Sequence, residues 1–223
     1  MNAAHNAYRL VILASGAGTN LQALIDAIAC GELPAEIAGV FSDQPRCAAL
    51  QRARDAGIPA RAVSPKPYST RLEFDAALFD LVDAATPDLI VCAGYMRLIS
   101  AAQVEARSNQ IINLHPSLLP AFKGLHTHQQ ALDAGVHEHG ASVHVVTADL
   151  DGGPVIAHAR VPVLTDDTTE TLAARVREQE HPLLVAVVRL LSEGQLGLCN
   201  DRVQLNGKAL KEPLQLRANR RLP

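Results

Sequence analysis

The chain has 223 residues, 48% of them apolar but only 3% aromatic, with no Trp and a formal net charge of −3. That length suits one good-sized α/β domain, or two small ones sharing a sheet, around a core of Ala, Leu, Val and Ile. The charge argues against an extended nucleic-acid surface, which needs clustered Lys and Arg, and the basic tail Arg217, Arg220, Arg221 is too short to alter this.

The first apolar run, Leu10 to Ala14, is too short for a signal-peptide core or a membrane span and reads as a first strand from Tyr8. It meets the turn Ser15-Gly16-Ala17-Gly18, and a helix is predicted from about Asn20 to Cys30, with Leu21, Leu24, Ile25 and Ile28 on one face. Ile37 to Phe41 reads as a strand, Cys47 to Ala56 as a helix stopped by Gly57, and Ala60 to Val63 as a third strand. Thr70 and Glu73 have capping-box spacing and open a helix through Leu78 and Val82. Leu89 to Ala93 is a continuous apolar run, as a strand covered on both faces requires, and Ile111 to Leu114 is another.

This alternation predicts an α/β fold with a doubly wound, Rossmann-like, mostly parallel sheet. In such sheets ligands bind at the carboxyl ends of the strands. That rule points to the turn after Ala14, to Gly94-Tyr95-Met96-Arg97 and to the segment after Leu114.

Beyond residue 140 the pattern turns antiparallel. Ala141 to Thr147 and Pro154 to Val163 read as strands around the loop Asp151-Gly152-Gly153. A long helix follows, with Asp167 and Glu170 in capping-box spacing, and Pro182 is expected to bend or restart it. Asn206-Gly207 between short apolar runs predicts a hairpin over Val203 to Leu210. With no repeat or linker, one domain over 1–223 is expected, with one half at about 1–110 and the other at about 111–223.

Two segments carry candidate chemistry. Ser15 to Asn20 follows a strand and opens a helix, so its backbone N–H groups could hold a phosphate. It lacks the full G-x-G-x-x-G spacing, because position 21 is Leu, and a purely structural βα turn explains it equally well. In Ile112 to Pro120, Asn113 and His115 lie two apart on a strand and so share a face, and Pro116 keeps His115 extended. A carboxamide donor beside an imidazole suits acyl transfer; a strand-end Asn and His making turn hydrogen bonds is the plainer alternative. Asp151 would raise the His115 pKa and fix its tautomer if the fold brings it near, or it belongs to an ordinary Asp-Gly turn.

The histidines His126, His128, His137, His139 and His144 match no metal-ligand spacing, and no metal is expected. His144 reads as a satisfied core histidine, with a pocket-facing one as the alternative. Cys30, Cys47, Cys92 and Cys199 are widely spaced with no C-x-x-C pair, which fits reduced thiols and a cytoplasmic location.

Taken together, Ser15 to Asn20 (SGAGTN), Ala93 to Leu98 (AGYMRL), Asn113 to Pro120 (NLHPSLLP), Gly124 to His128 (GLHTH), Ala141 to His144 (ASVH) and Asp149 to Val155 (DLDGGPV) resemble the glycinamide ribonucleotide formyltransferase family, in order and spacing, over nearly the whole chain. The resemblance implies the formyltransferase fold and formyl transfer from the co-substrate 10-formyltetrahydrofolate to the amine of glycinamide ribonucleotide, in de novo purine biosynthesis. It makes the halves at about 1–110 and about 111–223 a nucleotide-binding half and a folate-binding, catalytic half. It implies Asn113, His115 and Asp151 as the catalytic residues. Gly18, Thr19, Asn20 and Glu180 would bind the ribonucleotide, and Arg71, Met96, Arg97, Leu98, Ile99 and Asn113 the folate. No metal, nucleic acid or membrane partner is implied. The sequence departs from the family after Gln179-Glu180-His181, where Pro182-Leu183-Leu184 replaces aliphatic and Tyr-Pro residues, and Lys123 has no assigned role.

Three alternatives remain at this level. Methionyl-tRNA formyltransferase would call for a further carboxy-terminal domain and a basic surface. A formyltetrahydrofolate hydrolase shares the catalytic residues but usually carries an extra amino-terminal domain. A non-catalytic nucleotide-binding module is the reading from a different class.

Overall fold

The computed structural model describes residues 7–199 and 202–223, which divide into two compact units, one ending at Arg97 and the other running from Leu98 to Pro223.

In the first unit the elements follow the expected alternation: β1 (Tyr8–Leu13), α1 (Thr19–Ala29), β2 (Ala35–Ser42), α2 (Ala48–Asp55), β3 (Ala60–Ala62), α3 (Arg71–Ala84) and β4 (Leu89–Cys92). All strand pairs are parallel, in the order β4-β1-β2-β3. Leu10 to Leu13 of β1 and Ile90 and Val91 of β4 are fully buried. Leu21 and Leu24 of α1, Leu50 of α2, and Phe74, Leu78 and Phe79 of α3 are likewise withdrawn from water. Apolar runs are needed because central parallel strands are covered on both faces. The predicted capping box forms: Thr70 Oγ1 accepts from Glu73 N–H, and Glu73 reaches back to the Thr70 N–H.

The second unit contains α4 (Ala101–Ala106), β5 (Ile111–His115), α5 (Thr127–Asp133), β6 (Glu138–Val145), β7 (Val155–Pro162), α6 (Thr169–Ser192), β8 (Leu196–Cys199), β9 (Arg202–Leu205), β10 (Lys208–Ala209) and β11 (Leu214–Gln215). Here β5, β6 and β7 pair antiparallel, as the change of pattern predicts, and β11 adds a parallel edge strand to β7. A separate antiparallel sheet joins β8, β9 and β10. Its hairpin turns on Asn206 and Gly207, both at positive φ (50° and 76°), the geometry that Asn-Gly favours.

Helix α6 differs from expectation in its cap, and Pro182 does not restart it. Thr168, not Asp167, caps it, in a box with Thr171; Asp167 lies outside the helix and accepts from Leu164 N–H, Thr171 Oγ1 and the Arg175 guanidinium. The helix also continues through Pro182 as one element. A proline inside a helix costs about 3 kcal/mol, and the burial of Leu183, Leu184, Val187 and Val188 just beyond it offsets that. Among the described residues no helix is long and apolar enough to cross a membrane.

Candidate active site

Strand β5 ends on Asn113-Leu114-His115, and the alternation of a strand puts Asn113 and His115 on one face and Leu114 on the other, with Leu114 and His115 both buried. Antiparallel register sets His144 of β6 directly opposite Asn113. The His144 Nδ1–H donates to the Val145 carbonyl at 2.9 Å, which leaves Nε2 as the acceptor for Asn113 Nδ2 at 3.1 Å. The histidine that reads as a core residue in the sequence thereby fixes which way the Asn113 carboxamide points.

The loop from 149 to 153 folds back over β6 and brings Asp151 to both rings. Its carboxylate lies 3.5 Å from His115 Nδ1 and 3.6 Å from His144 Nε2, and accepts from Gly124 N–H at 2.9 Å. Gly153 makes this possible: a Cβ there would stand 1.9 Å from the Val145 carbonyl oxygen. Only a residue without a side chain lets the loop lie this close to the strand.

His115 is held from its other side. The segment after Pro116 is fastened by three hydroxyls: Ser142 Oγ donates to Ser117 O and accepts from Leu119 N–H, Ser117 Oγ donates to Ala121 O, and Thr127 Oγ1 donates to Pro116 O. That path delivers the Phe122 carbonyl to His115 Nε2 at 3.0 Å. A carbonyl can only accept, so Nε2 carries the hydrogen and Nδ1, facing Asp151, is the basic nitrogen. Behind Phe122, the fully buried His139 pairs with His128 through an Nε2···Nδ1 contact of 3.1 Å.

Burial is the largest influence on His115 and lowers its pKa below the ordinary imidazole value, even though the Phe122 carbonyl, Asp151 and Glu180 all act to raise it. The expected upward push from Asp151 is present, but desolvation exceeds it, so the ground-state imidazole is neutral near pH 7. Burial acts upward on Asp151, yet the His144 ring, the Gly124 N–H and the charge that His115 carries once protonated together hold its carboxyl below the usual range. The result is an ionised carboxylate beside a neutral ring whose basic nitrogen faces it. Such a ring is poised to accept a proton, because the imidazolium gains an immediate counter-charge.

Glu180, half-buried on α6, is near enough to influence His115 electrostatically. Leu98 is exposed and Ile99 half-exposed at the start of this unit. A cavity of about 630 Å3 is lined by Val104, Glu105, Ser108 and Asn109, by Val145 to Asp149 and by Gly152 to Pro154, a mixture of polar and apolar groups.

In the first unit, Gly18 is the residue before α1, with φ 72°, and a Cβ on it would lie 2.6 Å from Ala49 Cα. Thr19 and Asn20 open the helix, both half-exposed. The turn is tied to the segment after β4: Ser15 N–H donates to Gly94 O, Met96 N–H donates to Ser15 Oγ, and Ser15 Oγ–H donates to the buried Asp43. Met96 is largely exposed, Arg97 lies over the Phe74 ring at 4.9 Å, and Arg71 stands exposed in the first turn of the same helix as Phe74. Among the described residues no group of three or more His, Cys, Asp or Glu side chains is arranged to hold a metal ion.

An amide donor, a basic imidazole and a carboxylate lie together here, an arrangement suited in its chemistry to acyl-group transfer. Residues 8–188 match the family described as Formyl transferase, and the chain belongs to that family. It is 42% identical to phosphoribosylglycinamide formyltransferase of Escherichia coli over 90% of this chain and 95% of that protein. The solved phosphoribosylglycinamide formyltransferase of Coxiella burnetii superposes with a TM-score of 0.88 at 44% identity, covering 92% of this chain and 96% of that one. A formyltetrahydrofolate deformylase from Pseudomonas syringae is more distant, at 28% identity and TM-score 0.83, with 90% of this chain and 66% of that one covered.

Proposed function

We infer that the protein transfers a formyl group from 10-formyltetrahydrofolate to the amine of glycinamide ribonucleotide, giving formylglycinamide ribonucleotide and tetrahydrofolate in purine biosynthesis. The observation that carries the chemistry is the grouping of Asn113, His115 and Asp151, with His115 Nδ1 facing the carboxylate at 3.5 Å. The acceptor comes from the relatives, which are phosphoribosylglycinamide formyltransferases.

In this proposal the neutral amine attacks the formyl carbon, a carbon–nitrogen bond forms, and the carbonyl oxygen becomes an oxyanion. Asn113, its orientation set by His144, donates to that oxygen. One proton leaves the new ammonium and one arrives at the folate nitrogen as the carbon–nitrogen bond to folate breaks. His115 carries this proton at Nδ1, with Asp151 stabilising the imidazolium while it lasts. Nε2 stays committed to the Phe122 carbonyl, so the ring holds one tautomer throughout.

We assign the ribonucleotide's phosphate to the N–H groups at Gly18, Thr19 and Asn20, where the helix start favours an anion. Glu180 is assigned the ribose hydroxyls. Folate is assigned to Arg71, Met96, Arg97, Leu98 and Ile99, together with Asn113 and the loop leading to Asp151. The cavity beside that loop offers a polar heterocycle both apolar contacts, from Val104, Val145 and Val146, and polar groups, from Asn109, Thr147 and the loop.

Mass spectrometry of the reaction products tests this reading. Ribonucleotide gaining one formyl group supports it, whereas free formate with unmodified ribonucleotide moves the protein to the hydrolytic chemistry of the deformylase it also resembles.

A further inference from the structure

Beyond Ser15, the turn that opens α1 is held by α2. Ala49 N–H, in the first turn of α2, donates to the Gly16 carbonyl at 3.1 Å. One turn further along α2, Arg52 Nε donates to the Ala17 carbonyl at 2.9 Å, and its Nη1 donates to Gln22 Oε1 on α1 at 3.1 Å. Two successive carbonyls of the turn are therefore pulled toward α2. In a trans peptide the carbonyl and the following N–H point in opposite directions. Fixing the Gly16 and Ala17 carbonyls thus aims the Ala17 and Gly18 N–H groups away from α2. Among the described residues no hydrogen bond uses the N–H groups of Gly16, Ala17, Gly18 or Thr19.

The bond from Arg52 differs in kind from that of Ala49. It is charge-assisted, and a cation on the carbonyl oxygen also polarises the N–H at the other end of the same peptide unit, making it a better donor. Arg52 is half-exposed and sits in the last turn of α2, and among the described residues no carboxylate forms a salt bridge with it. Gly18 has to be a glycine for this arrangement to exist, because α2 is so close that a Cβ would strike Ala49.

We propose that Arg52 is a positioning residue for substrate binding: it holds the Ala17–Gly18 peptide unit with its N–H group outward, and thereby sets the affinity for the phosphate of the ribonucleotide. Arg52 touches neither the formyl carbon nor the folate, and acts through the turn. The inference rests on the assignment of the phosphate to this turn in the proposed function. It separates Arg52 from a merely structural residue, because loss of the guanidinium weakens phosphate binding while leaving the proton-transfer residues untouched.

The test is steady-state kinetics and calorimetric titration on R52M and R52K, with inorganic phosphate as a competing probe. For R52M we expect the ribonucleotide KM and Kd to rise about tenfold, equivalent to about 1.4 kcal/mol. Inhibition by inorganic phosphate should weaken in parallel, while kcat at saturation and the folate KM stay within about twofold of the parent. R52K restores the charge but not the planar two-nitrogen fork, and should recover only part of the loss; if R52M does not fold, R52K alone decides by this intermediate value. A folded variant whose ribonucleotide Kd and phosphate inhibition match the parent would overturn the role of Arg52. Parent enzyme that turns over folate without any dependence on the ribonucleotide would instead overturn the functional reading beneath it, and the two failures are distinct.

Discussion

Replacing Asp151 by Asn isolates the carboxylate's charge with little change in shape. Asn can still accept from Gly124 N–H, so the loop geometry held at 2.9 Å should survive. What disappears is the negative charge 3.5 Å from His115 Nδ1, where both side chains are less than one-tenth exposed. At an effective dielectric of about 20, that pair is worth about 5 kcal/mol once the ring is protonated. Glu180 also favours the imidazolium and makes up part of the loss. A net cost of about 3–4 kcal/mol in the transition state lowers kcat by about 100- to 1,000-fold. Both KM values should change little, since the ground-state ring is neutral either way. The pH profile gives a second readout. Activity of the parent should fall on the acid side as His115 protonates, with an apparent pKa below the ordinary 6.5 because burial lowers it. Without Asp151 that limb moves to still lower pH. A variant with kcat within about fivefold of the parent and an unmoved acid limb would refute the charge-pairing argument.

Loss of the Asn113 donor in N113A should cost about 2.7–4 kcal/mol in kcat, the usual worth of one oxyanion contact, with modest effect on KM; steady-state kinetics showing near-normal kcat would remove Asn113 from that role. G153A forces a Cβ to 1.9 Å from the Val145 carbonyl, so thermal unfolding should shift down by several degrees and activity should fall together with the displaced Asp151. His139 is fully buried and its pKa is lowered, chiefly by burial, to about 4. The unfolded chain binds a proton there near 6.5 and the native state only near 4, so native stability is lost as pH falls between those values, by up to about 3 kcal/mol. Urea titrations across that window should show this loss in the parent and a smaller one in H139F.

Much of this site is legible in the sequence wherever the cause is local. Asn113 and His115 share a face because strands alternate, Thr70 and Glu73 cap α3 because they lie three apart, and Asn206-Gly207 turns a hairpin because both residues tolerate positive φ. His144 is the buried, hydrogen-bonded histidine that the sequence suggests, but its hold on Asn113 depends on antiparallel register, which no short window carries. The Phe122 carbonyl on His115 is a backbone group, invisible to any motif, and the hydroxyls of Ser117, Ser142 and Thr127 that deliver it come from three separate segments. Helices α4 and α5 have six and seven residues, too few to show a clear period, and β11 has two. The Asp167–Glu170 spacing points to a cap that forms one residue later, on Thr168 and Thr171, because Arg175 draws the Asp167 carboxylate away. Pro182 reads locally as an interruption, but the apolar residues after it keep α6 in one piece.

The most direct test of the central claim is absorbance-monitored turnover of 10-formyltetrahydrofolate by the purified protein, with and without glycinamide ribonucleotide. Turnover is expected only when the ribonucleotide is present, with one formyl group appearing on it for each folate consumed. Folate consumption at the same rate in its absence would contradict the account and identify water as the acceptor.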